Sequence, residues 1–169
     1  MNFRKNDEIY KNLPSSHWFY NSLAYNENPF NALYFIDNLS GALLVSKKFS
    51  NKSKICDTDE DLISSFLNAM NLFINELNNR AKSSEEIQEI NFKDTRILYE
   101  RKERLLVIGI TNKTDIFTER RILHNILLDF YDRFEVKINK FNGVIDPEFM
   151  GYAKKLKEIK LNSFNNFRI

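Results

Sequence analysis

Between Asn31 and Gly143 the apolar positions change period in a definite order. Asn31–Asp37, with Ala32-Leu33-Tyr34-Phe35-Ile36 at its centre, is apolar on both faces. Asn38-Leu39-Ser40-Gly41 supplies turn chemistry, and Ala42–Phe49 follows as a second strand. Alternation places Leu43, Val45 and Phe49 on one face of it and Ser46 and Lys48 on the other, so the two segments predict a β-hairpin. Thr58-Asp59-Glu60-Asp61 then reads as a helix start: Thr58 can cap orphan amides, and carboxylates are favoured at the positive end of the dipole. Over Asp59–Asn79 the residues Leu62, Phe66, Met70, Phe73 and Leu77 stack at helical spacing, flanked by Ile63, Leu67 and Ile74. This broad stripe predicts the buried side of the helix, with Ser64, Asn68, Asn71 and Asn75 turned away from the core.

Three strands come next, Gln88–Phe92, Thr95–Glu100 and Arg104–Thr111, joined by Lys93-Asp94 and Arg101-Lys102-Glu103. Such short connections predict an antiparallel meander. Gln88–Phe92 alternates, with Ile90 and Phe92 opposite Glu89 and Asn91, whereas Leu105–Ile110 is apolar on both sides. Continuous apolar runs mark strands covered on both faces, and alternation marks a face left in water. The first and fifth strands therefore belong at the centre and the second and third at the edges, which gives the order 2-1-5-4-3.

A second long helix runs from about Asp115 towards Asn139, with Leu123, Ile126, Leu127, Phe130, Phe134 and Ile138 on its apolar face and Gly143 as terminator. Asp146-Pro147 opens a shorter helix to about Lys160, whose Lys154, Lys155, Lys157, Glu158 and Lys160 predict a mostly solvated surface. The expected fold is α+β, ββαβββαα, a five-stranded antiparallel sheet with helices on both faces. Leu33, Phe35, Phe66, Met70, Leu106, Ile108, Ile126 and Phe130 are its expected core.

Length and composition allow one such domain. The chain has 169 residues, with fifteen Phe and seven Tyr as apolar payload. Residues 1–30 form an aromatic extension (Trp18, Phe19, Tyr20, Tyr25, Phe30) without a sustained period, expected to dock on the domain's own surface; residues 31–160 are the domain and 161–169 a tail. Its 25 basic and 23 acidic residues nearly balance, so no basic stripe marks a nucleic-acid partner. A single Cys56 excludes an internal disulfide, Met1–Lys11 is polar, and the longest apolar run, Leu105–Ile110, is far too short for a span. A soluble, cytoplasmic protein is expected.

Candidate chemistry is sparse. Asn112-Lys113-Thr114-Asp115 after a buried strand is like the guanine-reading motif of small GTPases, but none of Gly41, Gly109, Gly143 and Gly151 lies in a phosphate-binding loop. The plainer reading is a strand-to-helix loop with Thr114 as cap. His17, His124 and Cys56 lack paired ligand spacing, and Asp57, Asp59, Glu60 and Asp61 lack the turn of a calcium loop. Ser15, Ser16, Ser64 and Ser65 lie in no nucleophile elbow. The basic runs Arg101-Lys102-Glu103-Arg104 and Lys154-Lys155-Leu156-Lys157 are short and predict solvated faces, the second allowing at most peripheral contact with an anionic membrane. No catalytic residue, metal or cofactor is expected.

In element order and strand order the chain resembles a longin domain over residues 31–160, above all in Phe35–Val45, Asp59–Met70 and Ile90-Asn91-Phe92 through Arg96–Tyr99 to Leu105–Ile108. These stretches are similar to longin-like proteins of archaea. The resemblance implies a non-enzymatic interaction module of the vesicle-trafficking type, serving a Ras/Rab-type small GTPase or another longin-like subunit. A small-molecule sensor and a profilin-like actin-binding module are the alternatives. It also implies a homodimer or heterodimer through the edge Glu89, Ile90, Asn91 and Phe92 with the neighbouring Asp59–Asn79 helix.

Overall fold

The computed structural model of the protein describes residues 28–50, 60–82 and 85–158. The aromatic residues before Asn28, Cys56, the Thr58 cap with Asp57 and Asp59, and the tail lie outside them. The elements are β1 (Phe30–Asp37), β2 (Leu43–Lys48), α1 (Glu60–Ala81), β3 (Glu89–Asn91), β4 (Arg96–Lys102), β5 (Leu105–Thr111), α2 (Ile116–Asn139) and α3 (Pro147–Glu158). The five strands make one antiparallel sheet in the order β2-β1-β5-β4-β3. The contrast between doubly apolar and alternating strands thus placed each strand correctly: β1 and β5 are buried throughout and β3 is an edge.

Opposite faces of the sheet carry separate cores. Leu33, Phe35, Leu98, Leu105 and Val107 pack with α2 and α3, while Ala32, Tyr34, Ile36, Ile97, Tyr99, Leu106, Ile108 and Ile110 pack with Ile63 and Leu67 of α1. Phe30, counted by sequence with the extension, is the first residue of β1 and fully buried. Its ring lies over Gly109, where a Cβ would come within 2.6 Å of Phe30 Cε1, so glycine in β5 makes room for the aromatic. β2 departs from simple alternation. Phe35 pairs with Val45 but Ile36 with Leu43, so Leu44 is an extra residue in a β-bulge. Leu44 and Val45 consequently both join the α2–α3 core, and Leu43 turns to the α1 side rather than sharing a face with Val45.

The six predicted apolar-face residues of α2 are all buried. The helix is capped by Asp115, which accepts a hydrogen bond from Thr118 N at 3.2 Å, and not by Thr114. It ends at Asn139 with Lys140 as C-cap; Gly143, at φ +99°, serves the turn that follows. α3 is solvated over most of its surface, as its lysines predict, but it also has a buried face that the sequence reading did not single out. Phe149, Tyr152 and Leu156, spaced along one face, are buried against Phe35, Phe130 and Phe134, while Lys154 and Lys155 are exposed.

Two buried carboxylates tie the layers together. Asp37 accepts from Arg104 Nε at 2.7 Å and Nη2 at 3.0 Å and from the Ser40 amide and hydroxyl. Arg104 also donates to the carbonyls of Asn139 and Phe141, fastening the β1–β2 hairpin to the end of α2. Burial pushes the Asp37 carboxyl up, but the hydrogen bonds from Arg104 and Ser40 outweigh it and hold the group below its ordinary value. Glu119, fully buried at the start of α2, accepts from Arg96 Nη1 (2.9 Å), the Thr111 hydroxyl (3.0 Å) and the amide and hydroxyl of Thr114 (2.7 and 2.9 Å).

Candidate interaction surface

Helix α1 does not face the way its apolar stripe predicts. The residues turned to the sheet are Ile63, Ser64, Leu67 and Asn71, all buried. Phe66 and Met70, expected in the core, are respectively exposed and half-buried, and Leu62, Phe73 and Leu77 are exposed with Phe66. The cause is a polar seat at the hairpin end of the sheet. Asn71 Nδ2 donates to Asn38 Oδ1, and Asn71 Oδ1 accepts from Arg101 Nη2 at 2.6 Å. Beside it Asn68 sits on Gly41, where a Cβ would lie 2.1 Å from Asn68 Nδ2; the turn there has φ +76° and suits glycine. Asn71, itself buried, thus finds a hydrogen-bond partner for both its amide groups in the part-buried Asn38 and Arg101, and Asn68 rests on the turn beside them. At about 100° per residue, seating Asn71 on the sheet swings Leu62, Phe66, Phe73 and Leu77 outward by about a third of a turn.

The resulting surface is a continuous apolar flank: Leu62 is 62% exposed, Phe66 51%, Phe73 58% and Leu77 44%. Ala69 lies exposed between them. Since Asn68 contacts the β1–β2 turn on the opposite flank, the stripe faces the β4–β3 side of the domain. Single exposed leucines mean little, whereas here four large apolar side chains of one helix are exposed in a row.

β3 lies beyond that flank, and among the described residues no strand pairs with its outer side. Its ladder partners are Glu89↔Leu98, Ile90↔Ile97 and Asn91↔Arg96, and the flanking bonds run from Tyr99 N to Gln88 O and from Phe92 N to Thr95 O. Antiparallel pairing alternates, so the backbone amides and carbonyls of Glu89 and Asn91 point to the open edge. The four residues singled out by sequence do not act alike. Ile90 packs into the α1-side core, Asn91 is exposed, and Phe92 lies in the turn after β3, half-exposed, with its carbonyl taken by Lys113 Nζ. Glu89 is not a free charge guarding the edge. It accepts from Asn91 Nδ2 at 2.7 Å and pairs with Arg120 of α2 at 3.0 Å, which together, against a slight desolvation, keep its carboxyl below the usual range. Sequence reasoning placed this strand at the edge, and it assigned the apolar stripe of α1 to the core, which the structure does not bear out.

The other polar motifs serve the fold. Asn112 and Asn31 exchange amide hydrogen bonds at 2.6 and 3.2 Å, Thr114 binds Glu119, and Asp115 caps α2, so Asn112-Lys113-Thr114-Asp115 is a structural joint. In the basic run, Arg101 bonds Asn71 and Glu86, Lys102 pairs with Asp132 over the Tyr131 ring, and Arg104 holds Asp37. His124 lies exposed on α2 with Nδ1 3.3 Å from Glu100. Among the described residues no three His, Cys, Asp or Glu side chains gather as a metal site, and no helix is long and apolar enough to cross a membrane. A polar recess of about 240 Å³ opens beside Asn38, Asn71, Asn78 and Arg101. Comparison with protein-family models gives no match, and comparison with curated proteins gives none either, so the functional reading rests on these residues.

Proposed function

We propose that the chain is a non-catalytic, cytoplasmic protein-interaction module, a platform or regulator for a Ras/Rab-type small GTPase or related vesicle-traffic machinery. The observation that carries this reading is the α1 flank: four large apolar side chains, Leu62, Phe66, Phe73 and Leu77, held outward by a buried polar seat and set beside an open strand edge. A helix whose apolar face is turned from its own core has that surface to offer a partner. The element order, like that of a longin domain, supports the choice of partner class. In the test, the purified full chain is mixed with small GTPases from the same cell in GDP, GTP-analogue and nucleotide-free forms. Micromolar binding is expected, lost on Phe66→Asp and kept on Asp132→Asn. No binding to any of them rejects the GTPase.

One observation favours a small-molecule sensor instead, the recess at Arg101 and its asparagines. It falls below the ~300–1,000 Å³ of ordinary ligand pockets, so the interaction reading leads. Native mass spectrometry of the protein from its own cell separates the two, because a sensor carries its metabolite.

A further inference from the structure

We propose that Asn142, in the turn between α2 and α3, is a site of spontaneous covalent modification, at which the folded protein converts the asparagine to isoaspartate and aspartate. The inference is independent of the α1 flank, since α2 and α3 pack on the opposite face of the sheet.

The chemistry makes two demands. The backbone nitrogen of the following residue must reach the side-chain carbonyl carbon, and the peptide must be free to close a five-membered ring. A side chain on the following residue obstructs that approach, and glycine does not. Of the 22 asparagines in the chain only Asn142 is followed by glycine. Asn142, Gly143, Val144 and Ile145 are all exposed and lie outside both helices, and a Cβ built on Gly143 would meet nothing within 4 Å. The other described asparagines are held. Those inside α1 and α2 have the next amide committed to helical bonding. Asn31 and Asn112 bond each other, Asn38 accepts from Asn71, and the amide after Asn91 donates to the Thr95 carbonyl. Asn28 precedes Pro29, whose nitrogen carries no proton to lose.

The turn also supplies an activating contact. The Val144 amide donates to Asn142 Oδ1 at 3.3 Å, which folds the side chain over the Asn142–Gly143 peptide and sets an N–H on the oxygen where negative charge develops. The Gly143 nitrogen attacks Asn142 Cγ and gives up its proton. A C–N bond forms, the Cγ–Nδ2 bond breaks, and Nδ2 leaves as ammonia. Water, the one co-reactant, then opens the cyclic imide. Opening at the main-chain carbonyl of residue 142 gives isoaspartate, with the chain routed through Cγ and lengthened by a methylene; opening at Cγ gives aspartate.

The neighbours let the fold survive this change. Phe141 is held by Arg104, which donates to its carbonyl at 3.2 Å, and Asp146 is held by Lys137 at 2.8 Å while it accepts from the Glu148 amide. The extra methylene is therefore taken up by residues 142–145 between two fixed points. The turn gains one negative charge in a chain whose formal net charge is +2.

The experiment holds the full chain folded under mildly alkaline conditions for days, beside a sample unfolded in guanidinium chloride. Trypsin cuts after Lys140 and Lys154, and the fragment 141–154 is followed by its mass and by methylation with an isoaspartyl carboxyl methyltransferase. Expected in the folded sample are methyl-accepting isoaspartate and the mass gain of an amide turned acid, both at least about 10-fold faster in this fragment than in any other. Asn142→Gln, which would have to close a six-membered ring, should lose both signals with an unchanged circular dichroism spectrum. A folded chain that keeps 141–154 intact while the unfolded chain converts it overturns the proposal, because the turn then protects the asparagine. Earlier conversion of another asparagine, or methylation that persists in Asn142→Gln, overturns it as well.

Discussion

The two faces of the sheet are covered by helices of similar apolar content, and they are covered in opposite ways. On the α2–α3 side five aromatic residues turn inward: Phe35, Phe130, Phe134, Phe149 and Tyr152 interlock with ring centroids 4.5–6.1 Å apart, and only Phe117 at the start of α2 is left in water among the phenylalanines of the two helices. On the α1 side the helix meets the sheet through Ile63 and Leu67, with Asn71 hydrogen-bonded beneath it, and its phenylalanines point away. Apolar residues at helical spacing show that a helix has a sticky face; they do not say whether that face meets its own sheet or another molecule. The partner groups on the sheet make that choice, and here they are a turn and an arginine that ask for amides.

The comparison breaks most sharply at the two phenylalanines that sequence treats alike. Phe130→Ala removes the centre of the aromatic cluster and should cost about 3–5 kcal/mol by urea unfolding. Phe66→Ala should cost about 1 kcal/mol or less; an equal loss at both sites would mean that α1 buries its stripe after all.

Next in size is the buried pair that closes the hairpin end. Asp37→Asn should cost about 3 kcal/mol at neutral pH, since it leaves the Arg104 guanidinium without its charge partner. The pH dependence follows from the depressed carboxyl. Folded Asp37 binds its proton less readily than the unfolded chain does, so its stabilisation is full above the ordinary aspartate value of 3.8 and fades as pH falls through the lower folded value. Urea midpoints measured from pH 6 down to pH 2.5 should drop steeply in the wild type and less steeply in Asp37→Asn.

Asn71→Ala tests the polar seat directly. It strips Asn38 and Arg101 of their shared partner and should cost about 1–3 kcal/mol, more than Phe66→Ala although alanine is the better helix former. A neutral outcome would show that the asparagine does not set the rotation of α1. The smallest effect is expected of Asn91→Pro. Its amide points to the open edge, so proline removes no ladder bond, and stability should change by no more than about 0.5 kcal/mol. Binding of a small GTPase through α1 should also be unchanged, whereas its loss would move the interface to β3.

Much of the fold was legible because it depends on period and coverage. β1 and β5 are apolar on both faces and lie at the centre; Glu89–Asn91 alternates and lies at the edge. α2 buries each residue its 3.6-residue spacing predicts. The errors share one origin, a partner distant in sequence. The bulge at Leu44 moved Leu43 to the other face, Phe149, Tyr152 and Leu156 were hidden among lysines, and Asp115 rather than Thr114 capped α2 because Thr114 was taken by Glu119. The candidate surface was legible only in part: the edge strand was named, but the exposed side of α1 was assigned to the core.

Among the described residues, the alternation of apolar and polar residues by itself determined the types of the elements and the order of the strands, because those follow from backbone periodicity and from which strands can afford no wet face. Only the tertiary structure decided the rotation of α1. Asn71 lies 33 positions from Asn38 and 30 from Arg101, and nothing local to the helix reveals that the sheet ends there in groups that bond an asparagine amide. Satisfying those groups outweighed burying two phenylalanines, since a buried polar group without a partner loses its hydration outright, whereas an exposed apolar row can still be covered by another molecule.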